Sequence, residues 1–227
     1  GKDNLITILR VGNFDGGENV FGGSFLPLST LETAFQEGDL PNNVALDRLY
    51  YTVPIGDNFV LTFGGLVGQE DMLGLWPSVY PSDTVLDVTT LNGAPGAYNK
   101  NLGAGAGITW TDNGFSAAAN YVAASANQSN PSEGGVGTAG AGSTGTVQIG
   151  YQQEQWGLAV IYSSIQNTNQ KAEPNGLVAF GTQFVLNSYE TPGTTSAFGI
   201  SGYWQPQDSG WIPSISTGWG YNTTSYD

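Results

Sequence analysis

Apolar residues alternate with small or polar residues along much of the chain, most clearly in the stretch 102–124. Its first limb has Leu102, Ala104, Ala106, Ile108 and Trp110 on one side, opposite three glycines and Thr109. Asp112-Asn113-Gly114 interrupts the pattern with residues that tolerate the positive φ of a tight turn. Alternation resumes from Phe115 to Ala123. A period of two on both sides of such a turn predicts a β-hairpin.

The same alternation predicts further strands elsewhere in the chain. They cover 4–13, 44–55, 59–67, 146–152, 156–164, 198–204 and 211–219. Short turns are predicted at 56–58, at 153–155 and around 206–208, whereas the connections 14–43, 68–101, 125–145 and 165–197 are long. Long and short connections therefore alternate, which is typical of an up-and-down sheet whose long loops all emerge on one side. Within 14–43, Ser29 and Glu32 have the spacing of a capping box, which predicts a short helix.

Composition narrows the possible functions. Charged residues make up 11% of the 227 residues, glycine occurs 34 times, and the formal net charge is −14. An acidic chain is a poor partner for nucleic acid or an anionic membrane surface. The chain has no cysteine and no histidine, which excludes cysteine nucleophiles, histidine acid–base catalysis and the usual zinc sites. No carboxylate pair is marked by its spacing on a strand, so we predict neither an enzyme nor a cofactor or metal site.

The side of each strand opposite the apolar row is rich in Gly, Ser, Thr, Asn and Gln but not in Lys or Glu. A soluble sandwich exposes charged residues, whereas a transmembrane barrel turns its apolar side chains to lipid and its polar ones inward. Strands of about 9–11 residues suit a tilted crossing. Aromatic residues beside the short turns are expected to form a belt at one membrane interface. They are Trp110, Phe115, Tyr151, Trp156, Trp204 and Trp211.

These features predict an all-β, antiparallel, up-and-down transmembrane β-barrel with its long loops on one side. Residues 1–227 would form about nine strands of one larger barrel domain, so we expect the chain to be part of a longer protein. The expected function is a water-filled channel for passive diffusion of ions and small hydrophilic solutes. The alternative is a secreted glycan-binding β-rich protein, whose apolar rows would form a buried core.

Candidate pore-lining residues occupy the polar rows of the strands. They are Arg10, Arg48, Thr62, Asn120 and Gln148. Two inward arginines would favour anions, unless each is paired with a loop acid such as Asp47, Glu32 or Asp71. Acids concentrated in the long loops would instead gather cations, so the sequence leaves the ion preference open.

Two of the long connections carry apolar clusters, and these connections are candidates for a loop that constricts the channel. The clusters contain Leu31 and Phe35 in the first connection and Leu75 and Trp76 in the second. The row Gly103, Gly105 and Gly107 has no side chains to fill the adjoining space. We therefore predict that a loop lies against this row.

Five segments of the chain carry a resemblance to a known family. They are Gly1-Lys2-Asp3-Asn4-Leu5, Val11-Gly12-Asn13-Phe14, Asn42-Asn43-Val44-Ala45-Leu46-Asp47-Arg48-Leu49-Tyr50-Tyr51, Val53-Pro54-Ile55-Gly56 and Gly103-Ala104-Gly105-Ala106-Gly107. These segments resemble the cyanobacterial outer-membrane porins that combine a surface-layer-homology domain with a carbohydrate-porin-like barrel and are often labelled iron-uptake porins. The resemblance implies an outer-membrane location, a homotrimer, and a larger barrel preceded by a peptidoglycan-binding domain that these residues do not contain. A role in iron uptake follows from the family label alone.

Overall fold

The computed structural model describes residues 2–13, 41–82, 87–167, 193–208, 210–211 and 213–226. Within them, nine strands form one antiparallel sheet in the order of the chain, so the predicted all-β, up-and-down architecture is confirmed. β1 and β9 are the two edges of this sheet. The strands are β1 (Asn4–Val11), β2 (Val44–Ile55), β3 (Phe59–Gly68), β4 (Leu102–Asp112), β5 (Phe115–Ala123), β6 (Ser143–Gln152), β7 (Trp156–Asn167), β8 (Gly193–Trp204) and β9 (Ile215–Tyr226).

Helical structure in the same residues is limited to two short 3-10 helices, Glu70–Met72 and Asp87–Thr90. No helix in the described part of the chain is long and apolar enough to cross a membrane.

The turns between strands follow the local chemistry of the chain. Asn113 and Gly114 have φ of 47° and 82°, the two positive values that a type I′ hairpin requires, as the hairpin prediction expected. Gly56, in the short β2–β3 turn, also has a positive φ of 64°. The last connection differs from the prediction, because the final strand begins at Ile215 and not at Trp211. Pro213 in this connection has no N–H for a strand ladder.

The two faces of the sheet differ sharply in burial. On the apolar face, defined by residues such as Ile108, Ile149 and Val160, the side chains are exposed: Ile149 is 68% exposed and Val160 51%. On the polar face, defined by residues such as Thr62, Asn120 and Gln148, they are covered: Gln148 is 2% exposed. Strand register aligns this polar face into continuous rows, since Asn120 pairs with Gly107 of β4 and with Thr146 of β6.

The described part of the β3–β4 loop, residues 69–82 and 87–101, covers the polar face. Its Ala94, Ala97 and Tyr98 form a buried cluster with side chains of β7 and β8. A Cβ atom placed at Gly107 would lie 3.0 Å from Met72 Cβ, so the loop lies against the glycine row at this position, as predicted. Gly150 and Gly199 leave similar room for Leu75 and for Ala94. In the described residues, the buried hydrophobic clusters therefore lie on the polar side of the sheet, and the side chains of the apolar face remain exposed.

A β-bulge in β2 places two successive side chains on the polar face. Ile8 pairs with Arg48 and Leu9 pairs with Leu46, so Asp47 is the extra residue. A bulge redirects a side chain that strict alternation would send to the other face. As a result, Asp47 and Arg48 lie together next to the start of the β3–β4 loop.

Candidate functional site: the covered polar face

The two ends of the β3–β4 loop are joined to each other and to the sheet. The amide of Gln69 donates to the Asn101 carbonyl at 2.9 Å. Gln69 Nε2 donates to Thr146 Oγ1 at 2.7 Å, and Asn101 Nδ2 lies 3.1 Å from Thr144 Oγ1. Because Gln69 follows β3 directly and Asn101 directly precedes β4, these amides clamp the loop where it leaves and re-enters the sheet.

The first part of the loop is also held by polar side chains of β5 and β6. Gln148 Oε1 accepts from the Leu75 amide at 3.0 Å, and Gln148 Nε2 donates to the Leu75 carbonyl at 2.8 Å. Asn120 Nδ2 donates to the Gln69 carbonyl at 3.3 Å. Backbone groups of an irregular segment need such partners when they are buried. The polar face therefore supplies the hydrogen bonds that a loop without regular structure lacks.

The far part of the loop reaches the last two strands. Ser201 Oγ donates to the Asn92 carbonyl at 2.6 Å, and the Val79 amide donates to Ser216 Oγ at 2.9 Å. Trp76 packs edge-on against Tyr98, with 5.6 Å between the ring centroids. Burial raises the pKa of Tyr98 to about 12, so its hydroxyl stays protonated. Loop contacts thus extend across the sheet as far as β9.

Arg48 of β2 is paired with carboxylates of β2 itself and of the first residues of the β3–β4 loop. Its Nε is 2.7 Å from Asp71 Oδ2, and its Nη2 is 2.8 Å from Glu70 Oε1. Its Nη1 is 3.1 Å from Asp47 Oδ2. All of these side chains are largely buried, with the Glu70 side chain 5% exposed. Partial burial strengthens charge pairing relative to water, so this network fixes the first turn of the loop against β2.

Arg10 belongs to the same network, because its Nε is 3.3 Å from Asp47 Oδ1. Both arginines are therefore paired with carboxylates, which is one of the two alternatives the sequence left open. Asp47 and Asp71 are among the partners considered from the sequence, and Glu70 is an additional one. Glu32 lies outside the described residues.

Glu70 is the least satisfied member of the network. Its Oε2 is buried and has no hydrogen-bond partner. Burial raises the pKa of the Glu70 carboxyl, and the attraction of Arg48 opposes this without cancelling it. A desolvated carboxyl with one unpaired oxygen favours its protonated form.

A polar cavity opens where the tight turns meet the loop. It has a volume of about 860 Å³ and is bordered by the β2–β3, β4–β5 and β6–β7 turns and by Gly74 of the loop. Asp57, Asp112 and Glu154 line it, and no lysine or arginine is among its described lining residues. Ser116 also borders it; this residue is 5% exposed, and its hydroxyl has no hydrogen-bond partner.

The aromatic residues beside the tight turns lie close together on the apolar face. The ring centroids of Phe115 and Tyr151 are 4.5 Å apart, and those of Tyr151 and Trp156 are 5.5 Å apart. Trp156 pairs in register with Trp204 of β8. Trp211 lies outside the strands, in the β8–β9 connection, and is fully exposed, so its expected place at the start of the last strand is wrong.

The predicted site residues thus have different environments. Thr62, Asn120 and Gln148 lie on the polar face, with Thr62 4% exposed, and two of them hold the loop directly. Leu75 and Trp76 lie in the loop that covers them. Leu31, Phe35 and the Ser29–Glu32 capping box lie outside the described residues.

Sequence reasoning missed Gln69, Asn101 and Glu70. A signal was present for Gln69 and Asn101, because each is an amide residue at the junction of a glycine-containing strand with a long loop. Their partners, however, are distant in sequence and emerge only from the strand order.

No group of three or more His, Cys, Asp or Glu side chains in the described residues could hold a metal ion. Comparisons of the chain with models of protein families, with curated protein sequences and with solved structures found no match.

Proposed function

We propose that this chain forms the wall of an outer-membrane porin, a transmembrane β-barrel through which ions and small hydrophilic solutes diffuse passively. The observation that carries the proposal is the reversed burial of the sheet. Val147 and Ile149 are 51% and 68% exposed, whereas Thr146 and Gln148, their neighbours on the opposite face, are each 2% exposed. Water disfavours a continuous exposed surface of this kind, and acyl chains favour it.

Strand geometry is consistent with the same proposal. The strands have 8 to 12 residues, close to the about 9–11 that a tilted crossing of the hydrocarbon layer needs. Aromatic side chains border the apolar face at its tight-turn end, as they do at membrane interfaces. In lipid the two edges of the sheet need partners, which further strands of a closed barrel would supply.

The β3–β4 loop gives the proposed channel its constriction. A loop on the polar face narrows the interior of a barrel, and its hydrogen bonds to Asn120 and Gln148 keep it there. In this proposal solutes pass between the loop and the remaining wall. The homotrimer and the outer-membrane location follow from the resemblance to cyanobacterial porins and belong to the same proposal.

Folding and conductance test the proposal together. The full-length protein should require detergent or lipid to fold, should migrate faster on an unheated gel than after boiling, and should give stepwise ohmic currents in planar bilayers. A monodisperse protein that folds in buffer without detergent and binds glycans would contradict it and would support the glycan-binding alternative. Folded protein that inserts but never conducts would contradict the porin function.

A further inference from the structure

We propose that Arg48 keeps the proposed channel open as a positioning residue: it compensates the buried carboxylates at the start of the β3–β4 loop and so holds this part of the loop against the wall. This role rests on the proposed porin function and names a residue that controls the path of the solutes. Arg48 itself is 8% exposed, so it acts on solutes through the position of the loop and not by touching them.

The described part of the loop follows the polar face of the sheet. Its start lies beside Arg48 of β2, and its hydrogen bonds to Gln148 hold it on β6. Its hydrogen bonds to Ser201 and Ser216 reach β8 and β9. A part of the loop that leaves this wall moves away from the strands, which in a barrel is toward the lumen. The anchors of the loop therefore decide how much of the lumen is free.

Arg48 contacts both carboxylates of the first turn of the loop with separate nitrogens. Its Nε is 2.7 Å from Asp71 Oδ2, and its Nη2 is 2.8 Å from Glu70 Oε1. Asp71 Oδ2 also accepts from the Gly68 amide at 2.8 Å, so the same carboxylate joins the end of β3 to the arginine. A planar guanidinium holds two carboxylates in a fixed geometry, which makes Arg48 the charged anchor of the loop start.

Charge balance at the loop start depends on Arg48. Burial raises the pKa of the Glu70 carboxyl, and Arg48 and Lys100 both oppose this rise. Lys100 precedes the end of the loop and donates to the Ser82 carbonyl at 2.8 Å. With all groups ionised the charges of the cluster cancel, and without Arg48 one negative charge is in excess. The cluster consists of the cations Arg10, Arg48 and Lys100 and the carboxylates Asp47, Glu70 and Asp71.

Loss of Arg48 would leave two poorly solvated carboxylates beside the wall. The side chains of Glu70 and Asp71 are 5% and 18% exposed. A buried carboxylate without its cation has to take up a proton or reach water. At about pH 8, far above the ordinary pKa of a carboxyl, we expect these groups to reach water and to take the first turn of the loop off the wall. Met72 follows them directly in the chain and would move with them.

Thiol labelling tests this role without relying on conductance, because these 227 residues contain no cysteine. Met72→Cys places a thiol at a position that is 1% exposed. In the folded full-length protein, with any cysteine elsewhere replaced by serine, a charged thiol reagent at about pH 8 should react with it slowly. Adding Arg48→Met should raise the labelling rate severalfold. The triple variant Arg48→Met, Glu70→Gln, Asp71→Asn should return the rate to its starting value, because neutral amides need no cation.

A second thiol separates a local movement from general unfolding. Ile161→Cys lies at a position that is 1% exposed, under the far part of the loop where Ala94 and Ala97 pack, and it should react slowly in every background. Faster labelling at both thiols, an unchanged rate at Met72→Cys after Arg48→Met, or a raised rate that the triple variant keeps would overturn the role of Arg48. If Arg48→Met alone does not fold, folding of the triple variant supports the role, and failure of both variants to fold overturns it.

Single-channel recordings in planar bilayers connect the loop position to permeation. The full-length wild type should give steady open levels, Arg48→Met should give frequent brief closures and a lower mean current, and the triple variant should restore steady levels. Steady and undiminished current through Arg48→Met would overturn the inference and leave the porin function standing. No current through folded, inserted wild type would overturn the porin function and with it the role in permeation, whereas the labelling rates would still show whether Arg48 holds the loop.

Discussion

Gln148 holds Leu75 by both of its backbone hydrogen-bonding groups. The side-chain oxygen of Gln148 accepts from the Leu75 amide at 3.0 Å, and its nitrogen donates to the Leu75 carbonyl at 2.8 Å. Both residues are buried, Gln148 to 2% and Leu75 to 7% exposure. The Gln148 side chain thus provides the two backbone hydrogen bonds that a neighbouring strand would provide to a residue within a sheet.

Replacing this side chain should loosen the loop. Gln148→Ala leaves the Leu75 amide and carbonyl without partners, and each buried polar group so abandoned costs about 1–3 kcal/mol. We expect the free energy of unfolding, measured by denaturant titration of the folded protein, to fall accordingly. Gln152→Ala, on the same strand but exposed, serves as the control. Equal effects of the two variants would show that Gln148 does not anchor the loop.

The close approach of the loop to β4 makes Gly107 sensitive to substitution. A Cβ atom there would lie 2.7 Å from Asn120 Cβ and 3.0 Å from Met72 Cβ, so Gly107→Ala should destabilise the protein by about 1–3 kcal/mol. Gly145→Ala is the control, because nothing lies within 4 Å of a Cβ at Gly145 and its φ is not positive. Samples of both variants would be heated to a series of temperatures and loaded on gels without boiling, and the temperature at which the folded band disappears would be compared. A tolerated Gly107→Ala would argue against the packed loop.

Stability should depend on pH through Glu70. Burial raises the pKa of this carboxyl above its ordinary value of 4.5, so the folded state binds the proton more tightly than the unfolded state. The group therefore lowers stability above the raised pKa, and stability returns as the pH falls through it toward 4.5. Glu70→Gln should gain stability relative to the wild type as the pH rises. The same difference between Glu70→Gln and the wild type at every pH would contradict the argument.

The apolar face should reject charge in lipid. Val160 and Val136 are 51% and 66% exposed, but Val160 lies within β7 and Val136 lies in the β5–β6 connection. In a bilayer, Val160→Arg should cost about 2–4 kcal/mol of folding free energy. Val136→Arg, outside the strands, is the control and should cost only the about 0–1 kcal/mol of a site near the interface. Refolding yield into vesicles would measure the difference. Equal tolerance of both arginines would indicate that water covers the face around Val160.

Local pattern was sufficient where strand alternation and turn chemistry agree. The bounds of β2 were predicted at both ends, and Asn113-Gly114 forms the expected turn. Prediction failed where one signal is missing. β8 begins at Gly193, well before the predicted Phe198, because Thr194, Thr195 and Ser196 are polar on both faces and show no alternation. β9 extends to Tyr226, beyond the predicted end at residue 219, for the same reason: residues 222–226 are largely polar and show no alternation.

The sequence predicted which residues of the candidate site lie on the polar face of the sheet, but not the contacts that they make. Alternation assigned Thr62, Asn120 and Gln148 to the polar face, and the apolar residues of the second long connection suggested a loop that lies inside. The partners of these side chains, such as Gln69 with Thr146, are set by strand order across a long sequence separation. The placement of Asp47 beside Arg48 depends on a bulge, which alternation alone does not predict.

Tryptophan quenching by brominated lipids tests the central claim most directly. Trp219 lies on the apolar face and is 60% exposed, whereas Trp76 lies in the loop on the polar face and packs against Tyr98. Single-tryptophan versions of the full-length protein, with the other tryptophans replaced by phenylalanine, would be folded into vesicles of acyl-chain-brominated phospholipid. Strong quenching of Trp219 and weak quenching of Trp76 are predicted. Unquenched Trp219 that remains open to an aqueous quencher would contradict a lipid-facing sheet.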